Sequence, residues 1–377
     1  MKNKEIGIYI HIPFCKHKCF YCDFISYCNK DNFINSYIKA LKKEIQLKEI
    51  NSEITTVYIG GGTPSYIDSE YIKEIINEIK LKNVSKKAEI TIEVNPGTVN
   101  RKKLEDYKKC GINRLSIGLQ TANNTLLQQI GRIHNFEQFL ETYNLAKQVG
   151  LDNINVDLML GLPNQKIEDL KSSLKKVIDL EPTHISVYSL ILEDGTVLSD
   201  EIAKGNLKLP DDEYERNMYW YVKNTLELNG YKHYEISNFA KNNYESKHNL
   251  NCWKQYEYIG FGASAHSYEN NTRYSNVENL QEYIKNVEND NIEKNRIIHE
   301  IQKEADKKKE FMLLGLRMID GIKISDFKNK FGDNPIYLFR NELDKLVNEN
   351  LIVVDSDVIK LTNKGIDLAN LVWEEFV

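Results

Sequence analysis

The stretch Ile10-His11-Ile12-Pro13-Phe14-Cys15-Lys16-His17-Lys18-Cys19-Phe20-Tyr21-Cys22-Asp23-Phe24 places three cysteines, spaced Cys15-x3-Cys19-x2-Cys22, directly after an apolar strand. Three thiolates so close together form a metal socket that supplies three ligands rather than four, which leaves one position for another molecule. Soft thiolates suit an iron-sulfur cluster or zinc, and zinc could recruit His11 or His17 to complete a tetrahedron. Zinc sites more often use paired C-x2-C units, which puts iron-sulfur ahead. Cys28 reads as an ordinary thiol and Cys110 as a small buried residue near a helix end.

Short β-rich runs alternate with helical patterns on either side of this socket. Strands are predicted at Ile6–Ile10, Thr55–Ile59, Glu89–Val94, Arg114–Ile117, Ile154–Leu160 and His184–Leu190, with amphipathic helices at Phe33–Ile50 and Tyr71–Ile79 and further helical patterns between the later strands. Six consecutive βα units predict an α/β fold with a parallel sheet, either open or curled into part of a barrel. The polar clusters share one edge of that sheet. The cysteine loop follows strand one, Gly60-Gly61-Gly62-Thr63-Pro64-Ser65 follows strand two, Glu93 ends strand three, Gln120 follows strand four, and Asp157 lies on strand five. Parallel sheets and βα barrels build their sites at these carboxyl ends. The glycine run lets backbone approach a ligand closely, and with no Gly-Lys-Ser/Thr after it, it is not a nucleotide P-loop.

The chain has 377 residues, a net charge of −5 and six cysteines. That length suggests a large α/β domain with at least one smaller one. The near-balance of charges gives no reason to expect a nucleic-acid partner. No apolar run approaches the ~20 residues of a membrane span. The polar start, Met1 to His11, lacks the core of a signal peptide, so reduced thiols and a cytoplasmic location are expected.

The cysteine motif with an aromatic before its last cysteine, followed by Gly-Gly-Gly-Thr-Pro-Ser, resembles the core of radical S-adenosylmethionine (SAM) proteins. Tyr9-Ile10-His11-Ile12-Pro13-Phe14-Cys15, Glu93-Val94-Asn95-Pro96-Gly97, Ser116-Ile117-Gly118-Leu119-Gln120 and Asp157-Leu158-Met159-Leu160-Gly161-Leu162-Pro163 resemble the oxygen-independent coproporphyrinogen III oxidase group. The resemblance implies a partial (β/α)6 TIM-like barrel. It implies a 4Fe-4S cluster on Cys15, Cys19 and Cys22, with SAM contacted by Tyr9, Gly61, Gly62, Thr63, Glu93, Gln120, Arg132 and Asp157. Two departures point to the related haem chaperones of HemW type. Phe24 stands where the oxidases carry another cysteine, and the segment before the cluster is shorter than theirs.

Lys247-His248-Asn249-Leu250-Asn251-Cys252-Trp253 resembles the chaperones' His-Asn-x-x-Tyr-Trp motif, with Cys252 in place of the tyrosine. That resemblance makes His248 a candidate axial ligand and Trp253 a candidate cover for a porphyrin face. The implied function is to bind haem and pass it to an acceptor haemoprotein, with an external low-potential electron donor if SAM is cleaved. The enzyme alternative is oxidative decarboxylation of coproporphyrinogen III. A zinc-stabilised binding protein is the third class.

The expected organisation is a core over 1–195, an extension covering the barrel mouth and carrying the haem motif over 196–298, and a C-terminal domain over 299–377. Helical patterns at Phe311–Arg317, Ile324–Phe331 and Phe339–Asn348, then a hairpin at Leu351–Val354 and Val358–Leu361, resemble a winged helix. The acidic balance favours a docking or structural role for it over DNA binding.

Overall fold

The computed structural model describes residues 5–377. Residues 1–4, part of the polar start, lie outside the described residues. Six strands, β1 (Glu5–Ile12), β2 (Glu53–Gly61), β3 (Val84–Val94), β4 (Arg114–Gln120), β5 (Ile154–Leu160) and β6 (His184–Ser189), lie side by side in sequence order, all parallel. The helices between them include α1 (Ile34–Leu47), α2 (Ser69–Lys80), α3 (Arg101–Lys109), α4 (Asn124–Gln129), α5 (Phe136–Gln148) and α6 (Ile167–Ile178).

Apart from bulges near the start of β1 and β2 and the end of β4, the strands alternate, and the alternation sets the architecture. Ile8, Ile10 and Ile12 on β1, Val57 and Ile59 on β2, Ile92 and Val94 on β3, and Leu115, Ile117 and Leu119 on β4 are buried in the core that the helices share. α1 and α2 complete that layer with stripes such as Ile38, Leu41, Ile45 and Ile72, Ile75, Ile79. The intervening residues turn the other way and bond to one another across strands. Asn155 donates to Ser116 Oγ at 2.8 Å and to Asp157 at 2.7 Å, and its own oxygen lies 2.6 Å from His184 Nδ1. Because successive side chains point to opposite faces, this puts a polar lumen inside the curled sheet and an oily layer outside it.

The sheet grows beyond the six parallel strands. After β6, helices α7 (Val197–Ala203) and α8 (Asp212–Leu228) lead to a hairpin of β7 (Lys232–Glu235) and β8 (Asn238–Ala240), in which β8 runs antiparallel to β6. Helix α9 (Lys247–Trp253) then precedes β9 (Tyr258–Phe261), which pairs parallel to β1 and leads into the antiparallel β10 (His266–Glu269), β11 (Thr272–Asn276) and β12 (Arg296–Ile301). The segment after β6, expected as an extension of the core, thus adds six strands. These strands are short, three to six residues each, and rich in Asn, His and Tyr, so they carry little apolar periodicity. Neither end strand, β12 nor β7, pairs with the other, so the barrel is partial and open.

The C-terminal residues have a core of their own, built on Phe327, Phe339, Leu343, Leu346, Ile359 and Phe376. Helices Glu304–Gly315, Ile324–Phe331 and Arg340–Asn348 pack with a small antiparallel sheet in which Val358–Leu361 lies between Ile322–Lys323 and Ile352–Asp355. The three helices and the hairpin of the sequence reading are present, with a third short strand added. Among the described residues no helix is long and apolar enough to cross a membrane.

Candidate functional site

The cysteine loop is a clasp. Its ends are tied where Tyr27 N donates to Pro13 O at 2.7 Å and Cys15 N donates to Tyr27 O at 3.1 Å. Phe14 anchors the clasp, fully buried with its ring against Tyr37 at 5.4 Å. On the far side Phe20 N donates to Ile130 O at 3.0 Å, and the Phe20 ring lies over Gly131 so closely that a Cβ there would stand 2.7 Å from it.

The glycine run lies against the same clasp. Gly62 N donates to Ile12 O and Thr63 N to Phe14 O, both at 2.9 Å, which locks the second strand's loop to the first's. A Cβ on Gly62 would sit 3.0 Å from Cys15 Sγ, and Thr63 Oγ1 is 3.4 Å from that sulfur. Glycine is required here for close approach rather than for a turn, since Gly61 (φ +111°) is the residue with left-handed backbone.

Asn95 and Arg132 join this wall to the ends of β3 and β4. Asn95 Nδ2 donates to Thr63 Oγ1 at 3.0 Å while its oxygen accepts from Arg132 at 2.9 Å. The same guanidinium donates to Gly118 O at 2.6 Å and reaches Cys19 Sγ at 3.5 Å. Arg132, expected at a SAM carboxylate, thus already spans the cluster loop and β4. Gln120 adopts φ +71° at a bulge between β4 and β5, and its side-chain nitrogen lies over Gly118.

The free thiols fit a cluster. Cys15, Cys19 and Cys22 form no disulfide. Burial, then the neighbouring thiols, pushes Cys22 up to about 11, and burial also raises Cys15, so the bare site holds neutral thiols there that a metal would deprotonate. Among the described residues no trio of His, Cys, Asp or Glu converges on one point as ligands of a single ion do. The three cluster-motif thiols lie near enough to act on one another, as ligands of one cluster would. His11 is no fourth ligand. Its Nε2 donates to Ile25 O at 2.9 Å, which leaves Nδ1 to accept from the Tyr9 hydroxyl at 3.0 Å, and burial holds the ring neutral, down to about 4.

Below the clasp the lumen carries two carboxylates. Glu93 accepts from Tyr58 at 2.9 Å and lies across Gly60, where a Cβ would be 3.0 Å from it; burial, then Asp157, raises it to about 7. Asp157, also raised by burial, accepts from Asn155 at 2.7 Å and from Ser116 at 3.2 Å. Tyr9 stacks on Tyr58 at 6.4 Å. Of the eight residues expected at SAM, Gly61, Gly62, Thr63, Gln120 and Arg132 lie at the cysteine clasp and the β4 end and Tyr9, Glu93 and Asp157 in the lumen, with Glu93 joining the two through the Gly61 amide.

His248 and Trp253 are not brought together. Helix α9 closes the amino-terminal end of the barrel, and its first amides, on Lys247 and His248, donate to Glu89 at 3.2 Å each. The His248 ring is buried in the lumen, 2.9 Å from Thr56 Oγ1 and stacked on Tyr58 at 5.2 Å. Trp253, one and a half turns on, faces the C-terminal domain instead, where Arg317 lies between its ring (4.4 Å) and that of Trp373 (4.6 Å).

Asn95, Tyr58, Glu89 and Arg114 were not singled out from sequence. The signal available for three of them is strand parity, because each occupies a polar position within an apolar alternation. Asn95 had only its place after β3, where Asn-Pro-Gly reads as a plain turn.

The radical SAM superfamily profile matches residues 9–177, and the HemN C-terminal domain profile matches residues 303–368. The chain is 37% identical to heme chaperone HemW of Lactococcus lactis, covering 100% of this chain and 98% of that one, and 39% identical to heme chaperone HemW of Bacillus subtilis, covering 98% of each. The fold matches the solved structure of coproporphyrinogen III oxidase (HemN) from Escherichia coli, a radical SAM enzyme, with a TM-score of 0.85 at 22% identity over 99% of this chain and 90% of that one. Radical SAM membership implies a 4Fe-4S cluster and SAM, in agreement with the thiol arrangement. The end-to-end identity to these relatives decides the branch: the chain belongs to the HemW family of the radical SAM superfamily.

Proposed function

We propose that this chain is a haem chaperone, which binds haem and passes it to an acceptor haemoprotein. The observation that carries the reading is similarity along its whole length to proteins named heme chaperone HemW. Phe24 supports it. This residue occupies the position of the oxidases' additional cysteine and is 62% exposed, so the clasp has no fourth thiol there.

Cys15, Cys19 and Cys22 hold the cluster in this reading, and Gly61, Gly62 and Thr63 present backbone and hydroxyl groups to SAM. Glu93 and Asp157 suit its ammonium or ribose hydroxyls, Tyr9 and Gln120 line its approach, and Arg132 offers the donors left over from the clasp. A bound cluster supplies one-electron chemistry to SAM, with an external electron donor. The chain's own residues orient the ligand, and Cys15 is buried while Cys19 and Cys22 stay partly exposed. Haem contact by both His248 and Trp253 requires α9 to leave the barrel floor, because the two side chains now face opposite ways. That release would break the Glu89 and Thr56 contacts, the His248–Tyr58 stack and the Trp253–Arg317 contact of a seven-residue helix. The cytoplasm is the proposed location.

The test is haem titration of the cluster-loaded full chain beside incubation of the reduced protein with SAM and coproporphyrinogen III. Stoichiometric haem binding without protoporphyrinogen formation supports the reading; robust protoporphyrinogen formation overturns it in favour of the oxidase.

A further inference from the structure

Arg114 opens β4 on the lumen face and is 2% exposed. Its side chain forms no ion pair or hydrogen bond with any described residue, and its Nε is fully buried without a partner. Thr91 stands opposite it in the β3–β4 register, fully buried, and its Oγ1 is likewise unpartnered. Two orphaned groups therefore occupy paired positions of neighbouring strands at the lumen floor. His184, His248, Tyr234, Tyr58 and Asp157 lie near enough to feel the Arg114 charge.

Asp157 is near enough for the Arg114 charge to pull its carboxyl down against burial, but among the described residues no lumen acid bonds to the guanidinium directly. Glu89 accepts from the Lys247 and His248 amides, Glu93 from Tyr58 and the Gly61 amide, and Asp157 from Asn155 and Ser116; none is within ion-pair distance of Arg114. A guanidinium presents five donors, and burying its Nε–H without an acceptor costs the desolvation of that donor. A planar monoanion matches the fork in two bonds. A phosphate dianion would meet the Glu93 and Asp157 carboxylates above.

We propose that Arg114 and Thr91 form a carboxylate-binding subsite at the floor of the barrel lumen. The carboxylate comes either from a propionate of haem, which rests on the chaperone reading, or from a small free acid, which does not.

The full chain with its cluster is titrated with acetate against chloride at matched ionic strength, following the thermal midpoint. It is then titrated with haem and with haem dimethyl ester, following Soret absorbance. The subsite predicts a saturable rise in midpoint with acetate that Arg114→Gln abolishes and Thr91→Val weakens. A propionate source adds at least tenfold tighter binding of haem than of its ester, a preference lost in Arg114→Gln. Acetate saturation without that preference supports the subsite with a free acid. Acetate saturation with no haem binding supports the subsite while overturning the chaperone reading. Arg114→Lys, which keeps the charge and loses the fork, covers the case in which Arg114→Gln does not fold, and it too should lose the acetate response. A wild-type response in either folded variant, no saturable response in the wild type, or a crystal grown in acetate with only water at Arg114 overturns the subsite.

Discussion

Gly62→Ala tests the packing of the clasp directly. Gly62 has no positive φ, so alanine costs nothing in backbone conformation, and the whole effect comes from the added Cβ. That atom would stand 3.0 Å from Cys15 Sγ, from Ile12 O and from Phe14 N, of which two are backbone atoms and the third belongs to a proposed cluster ligand. Overpacking of this kind costs about 1–3 kcal/mol, and here the strain falls on the Cys15 sulfur and the two strand-to-loop hydrogen bonds. The expected result is an apo chain destabilised by that amount in urea unfolding, with iron and sulfide per chain clearly below wild type after anaerobic reconstitution. Gly230→Ala is the matched control. Its Cβ meets nothing within 4 Å but its φ is +81°, so it should lose about 1–2 kcal/mol through backbone strain alone and keep its full cluster. Wild-type iron in Gly62→Ala, or equal iron loss in both variants, would show that cluster loading does not depend on this close approach.

Three further outcomes follow from the same contacts. Glu93 is raised from 4.5 to about 7 by burial, so the folded apo chain binds its proton more tightly than the unfolded chain does. Stability is therefore lost as pH rises from about 4.5 to about 7, by on the order of 3 kcal/mol, and Glu93→Gln should remove that loss when urea midpoints are compared at pH 5 and pH 8. Asn95→Leu removes one bond to a charged group and one to Thr63, about 2–4 kcal/mol together, and should lower cluster retention during gel filtration, whereas full retention would deny Asn95 its joining role. Trp253→Leu takes one ring from Arg317, worth about 0.5–2 kcal/mol, and should speed hydrogen exchange across the C-terminal domain while leaving iron content unchanged; unchanged exchange would deny the stack a part in holding that domain.

The six parallel strands were legible because each carries its own apolar alternation, and the site edge was legible because cysteines, glycines and acids recur at strand ends. The strands after Lys232 were not, because runs such as Lys232–Glu235 and His266–Glu269 have four residues and no apolar pattern. His248 illustrates a different limit. A histidine beside a tryptophan in sequence suggests one shared surface, yet the helical turn separates the two, and the polar lumen takes the imidazole while the C-terminal domain takes the indole. Arg114 reads in sequence only as the first residue of a strand. Its burial depends on the register that sets Thr91 opposite and on the distant His248 segment packing nearby, and no local pattern records either.

Haem delivery itself is tested by mixing cluster-loaded protein that carries one equivalent of haem with an apo-haemoprotein and following the acceptor's own Soret band over time. A chaperone makes that band grow faster than free haem held by serum albumin does, at the expense of the donor's spectrum. Haem that stays on the chain, or reaches the acceptor no faster than from albumin, would rule that role out.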